Sequence, residues 1–229
     1  MDQTPRGAPS RPVSFSCFPI MTEPIGYAGI CGMLQGAVAQ IRTHHEMLSR
    51  LDAAVGDGDH GTTILRAMEA VAKASSETPA TDLKTFFSKV AWDVMSCDGG
   101  STGPLLGSFF MGLSEGAGGR DTLDCAGFVA MMTSGVAKLQ KQSKAAVGDK
   151  TMMDAFLPAV EALKKADTTK GIKAALEQAA LAAAAGAEAT RAMRAKFGRA
   201  RNLGDRVIGH PDPGAVSVSL IFKGFSEGV

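Results

Sequence analysis

The sequence is poor in aromatic residues, in paired cysteines and in net charge. Aromatic residues make up 6% of the 229 positions, with one Trp and one Tyr, which argues against a β-sandwich or a β-barrel. The four cysteines include no Cys-x-x-Cys pair, which indicates a reducing, cytoplasmic compartment and no disulfide framework. A net charge of +1 favours neither nucleic acid nor an acidic membrane as a partner. No apolar run has the length of a membrane span, so we expect no transmembrane helix.

The chain divides into a short N-terminal segment and one domain. Residues 1–20 contain four of the ten prolines and lack the continuous apolar core of a signal peptide, so we expect a disordered extension. Residues 21–229 then form a single domain with ample material for a core. Ala, Gly and Met are plentiful there, and apolar residues recur every three to four positions, which predicts helices.

This spacing predicts an all-α fold of eight helices with no sheet. Polar segments that contain Gly separate the helices, and in an antiparallel up-and-down array such loops gather at one end. The last segment is ambiguous, because apolar residues alternate between 216 and 222 as in a strand, but without a partner strand elsewhere we interpret it as a helix. The predicted helices run from Thr22 to Leu51, from about His60 to Ala74, from the cap Asp82 to about Val94, from the break at Pro104 to about Ser114, from about Leu123 to Gln140, from Thr151 to Ala166, from about Gly171 to Ala195, and from Gly214 to Gly224.

The densest polar stretch, residues 51–63, holds three aspartates, three glycines, one histidine and two threonines. The glycines let the backbone turn sharply and approach a ligand closely. Asp52, Asp57 and Asp59 can direct hard oxygen ligands into one small volume, where the carboxylates repel one another unless a cation lies between them. Such ligands without a nearby thiolate suit Mg²⁺ or Ca²⁺ better than Zn²⁺.

Three known motifs resemble this stretch and can be excluded. The glycine spacing G-x-G-x-x-G in residues 56–61 matches the dinucleotide fingerprint, but a helix precedes it where a strand is needed. A Walker A loop needs Lys followed by Ser or Thr after its last glycine, and Thr62-Thr63 stands there instead. An EF-hand that starts at Asp57 would need Glu at its twelfth position, which is Met68.

The remaining interpretation is a phosphate site bridged by metal ions. Mg²⁺ is commonly shared between carboxylates and substrate phosphates, and three carboxylates could hold two ions against a nucleotide. The segment Gly99–Gly103 offers backbone donors and hydroxyls at a helix start, which suits an anion. Arg199 or Arg201 could contact a phosphate, and Met152 with the Leu105-Leu106 pair could form an apolar slot for a base.

Several of these residues have structural alternatives. Asp and Gly are common in turns, so the acidic stretch alone is also compatible with a plain turn. His60 is favoured as a ligand contact over a loop cap because it lies within the cluster. Asp149 is interpreted as a helix cap for the segment at Thr151, and Asp212-Pro213-Gly214 as a helix-start turn. For His210, structural and functional roles are equally open.

The motifs that carry a family resemblance are spread along the chain. They are Leu51-Asp52, Gly56-Asp57-Gly58-Asp59-His60-Gly61, Gly99-Gly100-Ser101-Thr102-Gly103-Pro104, Gly148-Asp149-Lys150-Thr151-Met152, Gly198-Arg199-Ala200 and Gly209-His210-Pro211-Asp212-Pro213-Gly214-Ala215. In this order they resemble the L subunit of dihydroxyacetone kinase, a DAK2-type nucleotide-binding family. The resemblance covers about Met21 to the C-terminus.

This resemblance implies a barrel of eight antiparallel helices that binds ADP or ATP at one end through two Mg²⁺ ions. The family's metal ligands fall on Asp52, Asp57 and Asp59, which with His60 form the implied catalytic set. The family often has Asn at the position of Thr63. The implied nucleotide-binding residues are His60, Gly61, Thr63, Gly100, Ser101, Thr102, Met152, Arg199, Asp212, Pro213 and Gly214.

The resemblance also implies that this chain is half of a kinase. In the family, a separate K subunit holds the ketone covalently through a histidine, and the γ-phosphoryl group is transferred to the substrate hydroxyl. We find no general base in this chain, so the resemblance places it on the partner. Two donors are open: free ATP, or a phosphotransferase-system protein that rephosphorylates bound ADP. The residue pairs Asp59-His60 and Gly209-His210 slightly favour the second.

The same residues are compatible with other functions. A nucleotide-dependent regulatory module that signals to a partner protein would need the same aspartates, and a helical scaffold with a structural divalent ion is a third interpretation. The sequence alone does not identify the ketose or decide whether the chain forms a homodimer.

Overall fold

Eight α-helices build the part of the chain that the computed structural model describes, namely residues 23–79, 82–98 and 100–229. This confirms the predicted all-α class. The predicted N-terminal extension and the Thr22 cap lie outside the described residues. The helices are α1 (Tyr27–Ala53), α2 (His60–Glu77), α3 (Leu83–Met95), α4 (Thr102–Ala117), α5 (Cys125–Ser143), α6 (Met153–Lys165), α7 (Gly171–Ala189) and α8 (Pro213–Glu227). The remaining elements are the strands β1 (Ile25–Gly26) and β2 (Thr122–Leu123) and the 3₁₀ helices Thr168–Lys170, Thr190–Ala192 and Arg199–Val207.

The helices form a closed ring. Each helix from α1 to α7 packs against the next one along the chain, and α8 packs against both α7 and α1. Connections between sequential neighbours are typical of an up-and-down bundle. Strands β1 and β2 pair antiparallel, with Ile25 opposite Leu123, and so tie the start of α1 to the start of α5. We did not predict this ladder, because two residues are too few to leave an alternating pattern. Among the described helices, none combines the length and the apolarity that crossing a bilayer requires.

Buried aromatic rings fill the centre of the ring. Phe109 of α4, Phe156 of α6 and Phe222 of α8 are at most 1% exposed. The ring centroids of Phe109 and Phe156 lie 5.0 Å apart, and those of Phe156 and Phe222 lie 5.9 Å apart. These contacts join three helices that are not neighbours in sequence, so the middle of the molecule is an apolar core.

Glycines close the ring where α8 meets α1. A Cβ added at Gly36 of α1 would lie 2.1 Å from the carbonyl oxygen of Gly224, and a Cβ added at Gly224 of α8 would lie 2.4 Å from the carbonyl oxygen of Gly36. Any side chain at these positions would separate the two backbones. The close approach of the first and the last helix therefore depends on glycine at both positions.

Aspartate caps begin three of the helices. The carboxylates of Asp82, Asp124 and Asp212 accept hydrogen bonds from the backbone N–H three residues later, at 3.0, 2.7 and 2.7 Å respectively. A cap at this position satisfies one of the free amides of the first helical turn. The predicted cap at Asp82 and the predicted helix start at Asp212 are confirmed. The last segment is a helix as predicted, because its apolar residues also follow a three-to-four spacing through Phe225.

Two predictions about the second half of the chain are wrong. Asp149 does not cap α6, because its carboxylate accepts from the Ala146 amide and pairs with Lys196, while Asp154 accepts from the Thr151 amide. Helix α7 ends at Ala189 rather than at Ala195. Thr190 ends it, since its hydroxyl donates to the Ala187 carbonyl and accepts from the Asp212 amide, which ties this turn to another segment.

Candidate functional site

A cavity of about 680 Å³ opens at one end of the ring. Its walls come from the α1–α2, α3–α4 and α5–α6 connections and from the segment between α7 and α8. These are every second connection along the chain, and such connections meet at one end of an up-and-down array, as predicted. The predicted site residues that line the cavity are Asp52, Asp57, Asp59, His60, Thr63, Gly100, Ser101, Thr102, Met152, Arg199, Asp212, Pro213 and Gly214.

Gly61 is the predicted site residue that lies beside the cavity instead of in its lining. A Cβ added there would lie 1.9 Å from the carbonyl oxygen of His45 and 2.4 Å from the hydroxyl oxygen of Ser49, both on α1. Gly61 therefore allows α2 to start close against α1. The acidic loop that joins these two helices lines the cavity.

The three aspartates of the acidic stretch converge in this cavity. One carboxylate oxygen from each of Asp52, Asp57 and Asp59 lies within 4.8 Å of the others. Asp52 is in the last turn of α1, where one carboxylate oxygen accepts from the His60 amide at 3.2 Å. Asp59 precedes α2 and makes no cap bond with its side chain, so its carboxylate is available to a ligand. Three like charges this close favour a bound cation.

Glycines give the acidic loop its shape. Gly58 has φ of +80°, a backbone conformation that costs other residues energy. A Cβ at Gly56 would lie 2.5 Å from a carboxylate oxygen of Asp52. Glycine at these two positions thus lets the chain reverse between α1 and α2 without pushing the carboxylates apart.

Arg199 reaches across the cavity mouth to the acidic loop. Its Nη1 lies 2.8 and 2.7 Å from the two carboxylate oxygens of Asp57. Both side chains are substantially exposed, so the pair is screened by solvent and contributes little to stability. The contact brings a guanidinium next to the aspartates, whereas Arg201, the alternative candidate, does not line the cavity.

His60 begins α2 and faces α8. Its Nε2 lies 3.1 Å from the hydroxyl oxygen of Ser217, and that hydroxyl donates to the carbonyl oxygen of Gly214 at 2.8 Å. Because the single hydroxyl hydrogen is used there, the geometry assigns the proton to Nε2 of the histidine. Burial lowers the pKa of His60, while the nearby carboxylates of Asp52 and Asp59 oppose this shift. The ring is therefore held in one orientation between the acidic loop and the start of α8.

Two helix N-termini face the cavity. Helix α4 begins after Ser101, whose side chain makes no cap bond to the first turn, and Gly100 before it has φ of +52°. Helix α8 begins after Asp212, whose carboxylate caps it. Burial raises the pKa of Asp212 to about 7, against the opposing hydrogen bond from Ala215. Helix N-termini attract anions, so both walls suit phosphate oxygens. Gly99 of the predicted anion loop lies outside the described residues.

The apolar part of the lining lies between these two walls. Met152 precedes α6, and a Cβ added at Gly214 would lie 3.5 Å from the Cβ of Met152, so the two residues are in contact range. Leu105 lines the cavity, whereas Leu106, its predicted companion, is buried in the core. Phe197 adds an aromatic side chain that is 39% exposed. This combination provides an apolar surface beside a polar one, as a nucleotide requires.

Comparison with known proteins identifies the family. The profile of the DAK2 domain matches residues 54–227, which is more than half of the chain. This chain belongs to the DAK2 domain family. The matched residues include Asp57, Asp59 and the α8 cap Asp212, and Asp52 lies two residues before them.

Bacterial kinase subunits are among the relatives of this DAK2 domain. The ADP-binding subunit DhaL of PEP-dependent dihydroxyacetone kinase 1 from Listeria innocua is 36% identical over 184 residues, or 80% of this chain and 87% of the relative. The ADP-binding subunit DhaL of the PEP-dependent dihydroxyacetone kinase from Escherichia coli is 34% identical over 182 residues, or 79% of this chain and 87% of the relative.

A solved structure shares the fold. The crystal structure of the dihydroxyacetone kinase from C. freundii in complex with AMP-PNP and Mg²⁺ superposes with a TM-score of 0.68 at 28% sequence identity. The match covers 98% of this DAK2 domain and 38% of the C. freundii chain. This agreement supports the resemblance, which implied the same all-α fold as the apolar spacing.

The burial of Lys150 in this DAK2 domain was not predicted from the sequence. Lys150 is 2% exposed, and its Nζ donates to the carbonyl oxygens of Thr190 and His210. Its φ of +59° is unusual for a residue other than glycine. In the sequence it stands in a polar loop next to Gly148 and looks like a surface lysine. The polar residues and the glycine around Lys150 give no sign that it is buried. The two segments that cover its ammonium group lie about 40 and 60 residues later in the chain.

Proposed function

We propose that this chain is the nucleotide-binding L subunit of a dihydroxyacetone kinase. It binds ADP or ATP with Mg²⁺ and takes part in phosphoryl transfer to dihydroxyacetone, or to a similar short ketose, held by a separate K-type subunit. The observation that carries the proposal is the convergence of three aspartates with two helix N-termini in one cavity of about 680 Å³. The relatives from Listeria innocua and Escherichia coli, which are named ADP-binding subunits of such kinases, support it.

The acidic loop supplies the metal ligands in this proposal. Asp52, Asp57 and Asp59 offer only hard oxygen atoms, and these lie close enough together, within 4.8 Å, to share ions. The donor set fits Mg²⁺, and the family resemblance implies two ions. When bound, Mg²⁺ offsets the charge of the phosphates and helps to align the transferred group.

The other walls bind the nucleotide. Backbone amides at the start of α4 and the hydroxyls of Ser101 and Thr102 donate to phosphate oxygens. Arg199 turns from Asp57 to a phosphate when the metal occupies the carboxylates. Met152 contacts the base. His60 holds the acidic loop against α8 through Ser217, which keeps the two walls in register.

The chemistry depends on positioning and electrostatics, as in phosphoryl transfer generally. A general base is assigned to the K-type partner. A phosphotransferase-system protein is the favoured phosphoryl donor over free ATP, because relatives that match most of their own length are named PEP-dependent or PTS-dependent.

Reconstitution tests this function. The chain is mixed with a K-type subunit, Mg²⁺ and dihydroxyacetone, and the formation of dihydroxyacetone phosphate is measured. One arm contains ATP, and the other contains ADP with a phosphorylated phosphotransferase-system protein. Product in the second arm alone supports the favoured donor, and product in the first supports ATP. If neither arm yields a phosphorylated ketose, with glyceraldehyde and erythrulose also tried, the kinase function is wrong. Retained nucleotide affinity would then favour the regulatory module.

A further inference from the structure

Lys150 is a buried cation at the junction of three separate segments. It belongs to the α5–α6 connection, its Nζ donates to the carbonyl oxygen of Thr190 at the end of α7, and it also donates to the carbonyl oxygen of His210 in the segment before α8. With 2% of the residue exposed, these bonds take the place of water. One ammonium group thus joins chain segments that lie far apart in sequence.

Burying this charge has a cost that packing alone does not explain. Removal of an ammonium from water is expensive, and an apolar residue of similar length would fill the space without that cost. Burial lowers the pKa of Lys150, and the carboxylates of Asp212 and Asp154 oppose this shift. Two of its three N–H groups point at backbone carbonyls. The side chain therefore acts on backbone position.

The backbone that Lys150 holds leads directly into the cavity wall. His210 precedes the cap Asp212 by two residues, and the Asp212 amide donates to the Thr190 hydroxyl at 2.8 Å. The Gly209 amide donates to the Arg191 carbonyl, also at 2.8 Å. The segment before α8 is thereby fastened to the end of α7, and Lys150 fastens both to the loop that carries Met152.

Asp154 stabilises the same loop from the other side. Its carboxylate, on a residue that is 1% exposed, accepts from the Gly148 amide at 2.6 Å and from the Thr151 amide at 2.7 Å. The loop around Lys150 is therefore fixed at both ends, and Met152 follows it immediately. Lys150 then connects this fixed loop to the start of α8, opposite Met152.

We propose that Lys150 is a positioning residue of the nucleotide site, which sets the distance between the Asp212–Gly214 turn and Met152. The inference rests on the proposed function, because the ligand between these two walls is taken to be ADP with Mg²⁺. Lys150 lines the cavity, but two of its three ammonium N–H groups are bound to backbone carbonyl oxygens, so its action on the site runs through the backbone. Without Lys150, the two walls remain but lose their fixed spacing.

The test compares Lys150→Met with Lys196→Met. Lys196 is a matched control because it lies nearby, is 63% exposed and pairs with Asp149 outside the predicted site. Affinity for ADP with Mg²⁺ is measured by calorimetry at a temperature at which each variant is folded by circular dichroism. Affinity for Mn²⁺ without nucleotide is measured by electron paramagnetic resonance. We expect Lys150→Met to lose about tenfold or more in ADP affinity with Mn²⁺ affinity changed less than about twofold, and Lys196→Met to retain both.

A second readout does not need the ligand. Amide hydrogen exchange at Asp212 and Ala215 should be faster in Lys150→Met than in the wild-type chain and unchanged in Lys196→Met. If Lys150→Met does not fold, Lys150→Arg, which keeps the charge with different geometry, takes its place and should lose part of the ADP affinity. A folded variant with wild-type ADP affinity would overturn the positioning role. If the wild-type chain binds no ADP, the proposed function fails, and unchanged exchange would separately refute the role of Lys150.

Discussion

At the scale of single residues, Asp57 has two partners that compete for its carboxylate. In the structure it pairs with Arg199, and in the proposed function it also ligates metal. Asp57→Asn should therefore weaken binding of ADP with Mg²⁺ by about 10- to 100-fold, because a charged ligand contributes roughly 1.5–3 kcal/mol. Isothermal titration calorimetry measures this. Glu161→Gln removes an exposed carboxylate on α6 as the control and should leave the affinity unchanged. Equal affinities for wild type and Asp57→Asn would remove Asp57 from the site.

The pair between Asp149 and Lys196 gives a pH-dependent contribution to stability. The hydrogen bond from Lys196 and that from the Ala146 amide hold the pKa of Asp149 below its ordinary value of 3.8. A lowered pKa in the folded state stabilises the fold above pH 3.8, and this contribution disappears as the pH falls further. Asp149→Asn should cost about 1 kcal/mol in the free energy of unfolding at pH 7 and much less near pH 2.5. Urea unfolding at both values measures it, and an equal loss at both would contradict the assignment.

Residue identity predicted that the three aspartates of the acidic loop converge, but it did not predict the burial of Lys150. Asp52, Asp57 and Asp59 are clustered in sequence, and their chemistry excludes most other uses, so short-range reasoning was enough. Lys150 acquires its role only through Thr190 and His210. Such long-range contacts leave no trace in local spacing, and a lysine beside Gly148 is usually on the surface.

At the scale of helices, the α1–α8 contact depends on the absence of side chains. Gly36→Ala places a Cβ at 2.1 Å from the Gly224 carbonyl, which forces the helices apart. We expect a net loss of about 1–3 kcal/mol in the free energy of unfolding, even though Ala favours the helix by roughly 1 kcal/mol. Gly119→Ala is the control, since a Cβ there meets nothing within 4 Å. Chemical denaturation measures both, and a stabilised Gly36→Ala would show that this packing is looser than described.

Helix positions could be predicted because apolar spacing and aspartate caps are local signals. The predicted cap Asp82 is a case in which the capping side chain and the apolar run that follows agree. The end of α7 was misplaced, because alanines favour helix through Ala195 whereas Thr190 bonds to the segment before α8. A tertiary contact overrode local propensity at this point. Residues 199–207, which lie between two predicted helices, form 3₁₀ turns that are interrupted at Gly204, where the backbone is not helical. No helix was predicted there because these polar residues give little apolar periodicity.

At the scale of the molecule, closure of the helix ring brings four loops together around one cavity. They are the α1–α2, α3–α4, α5–α6 and α7–α8 connections. The acidic loop and the start of α8 meet because α8 packs back on α1. Ligand binding should therefore stabilise the whole fold and not one loop. The sequence could predict this convergence only through the up-and-down arrangement and the family resemblance, because apolar spacing does not state which helices are neighbours.

The expected stabilisation of the whole fold by a bound ligand can be measured. Free ligand at about 100 times its dissociation constant adds roughly 2.7 kcal/mol to the free energy of unfolding, which raises the melting temperature of a domain of this size by about 5–10 °C. We expect this rise in differential scanning fluorimetry for ADP with Mg²⁺, and a much smaller one for ADP with EDTA, since unscreened carboxylates of the acidic loop repel both one another and the phosphates. EDTA added to protein purified with Mg²⁺ should lower the melting temperature for the same reason.

Asp57→Asn should reduce the rise with ADP and Mg²⁺, whereas Glu161→Gln should not. An equal rise for ADP with and without Mg²⁺ would mean that the nucleotide binds independently of the three aspartates, and the metal-bridged site would then be wrong.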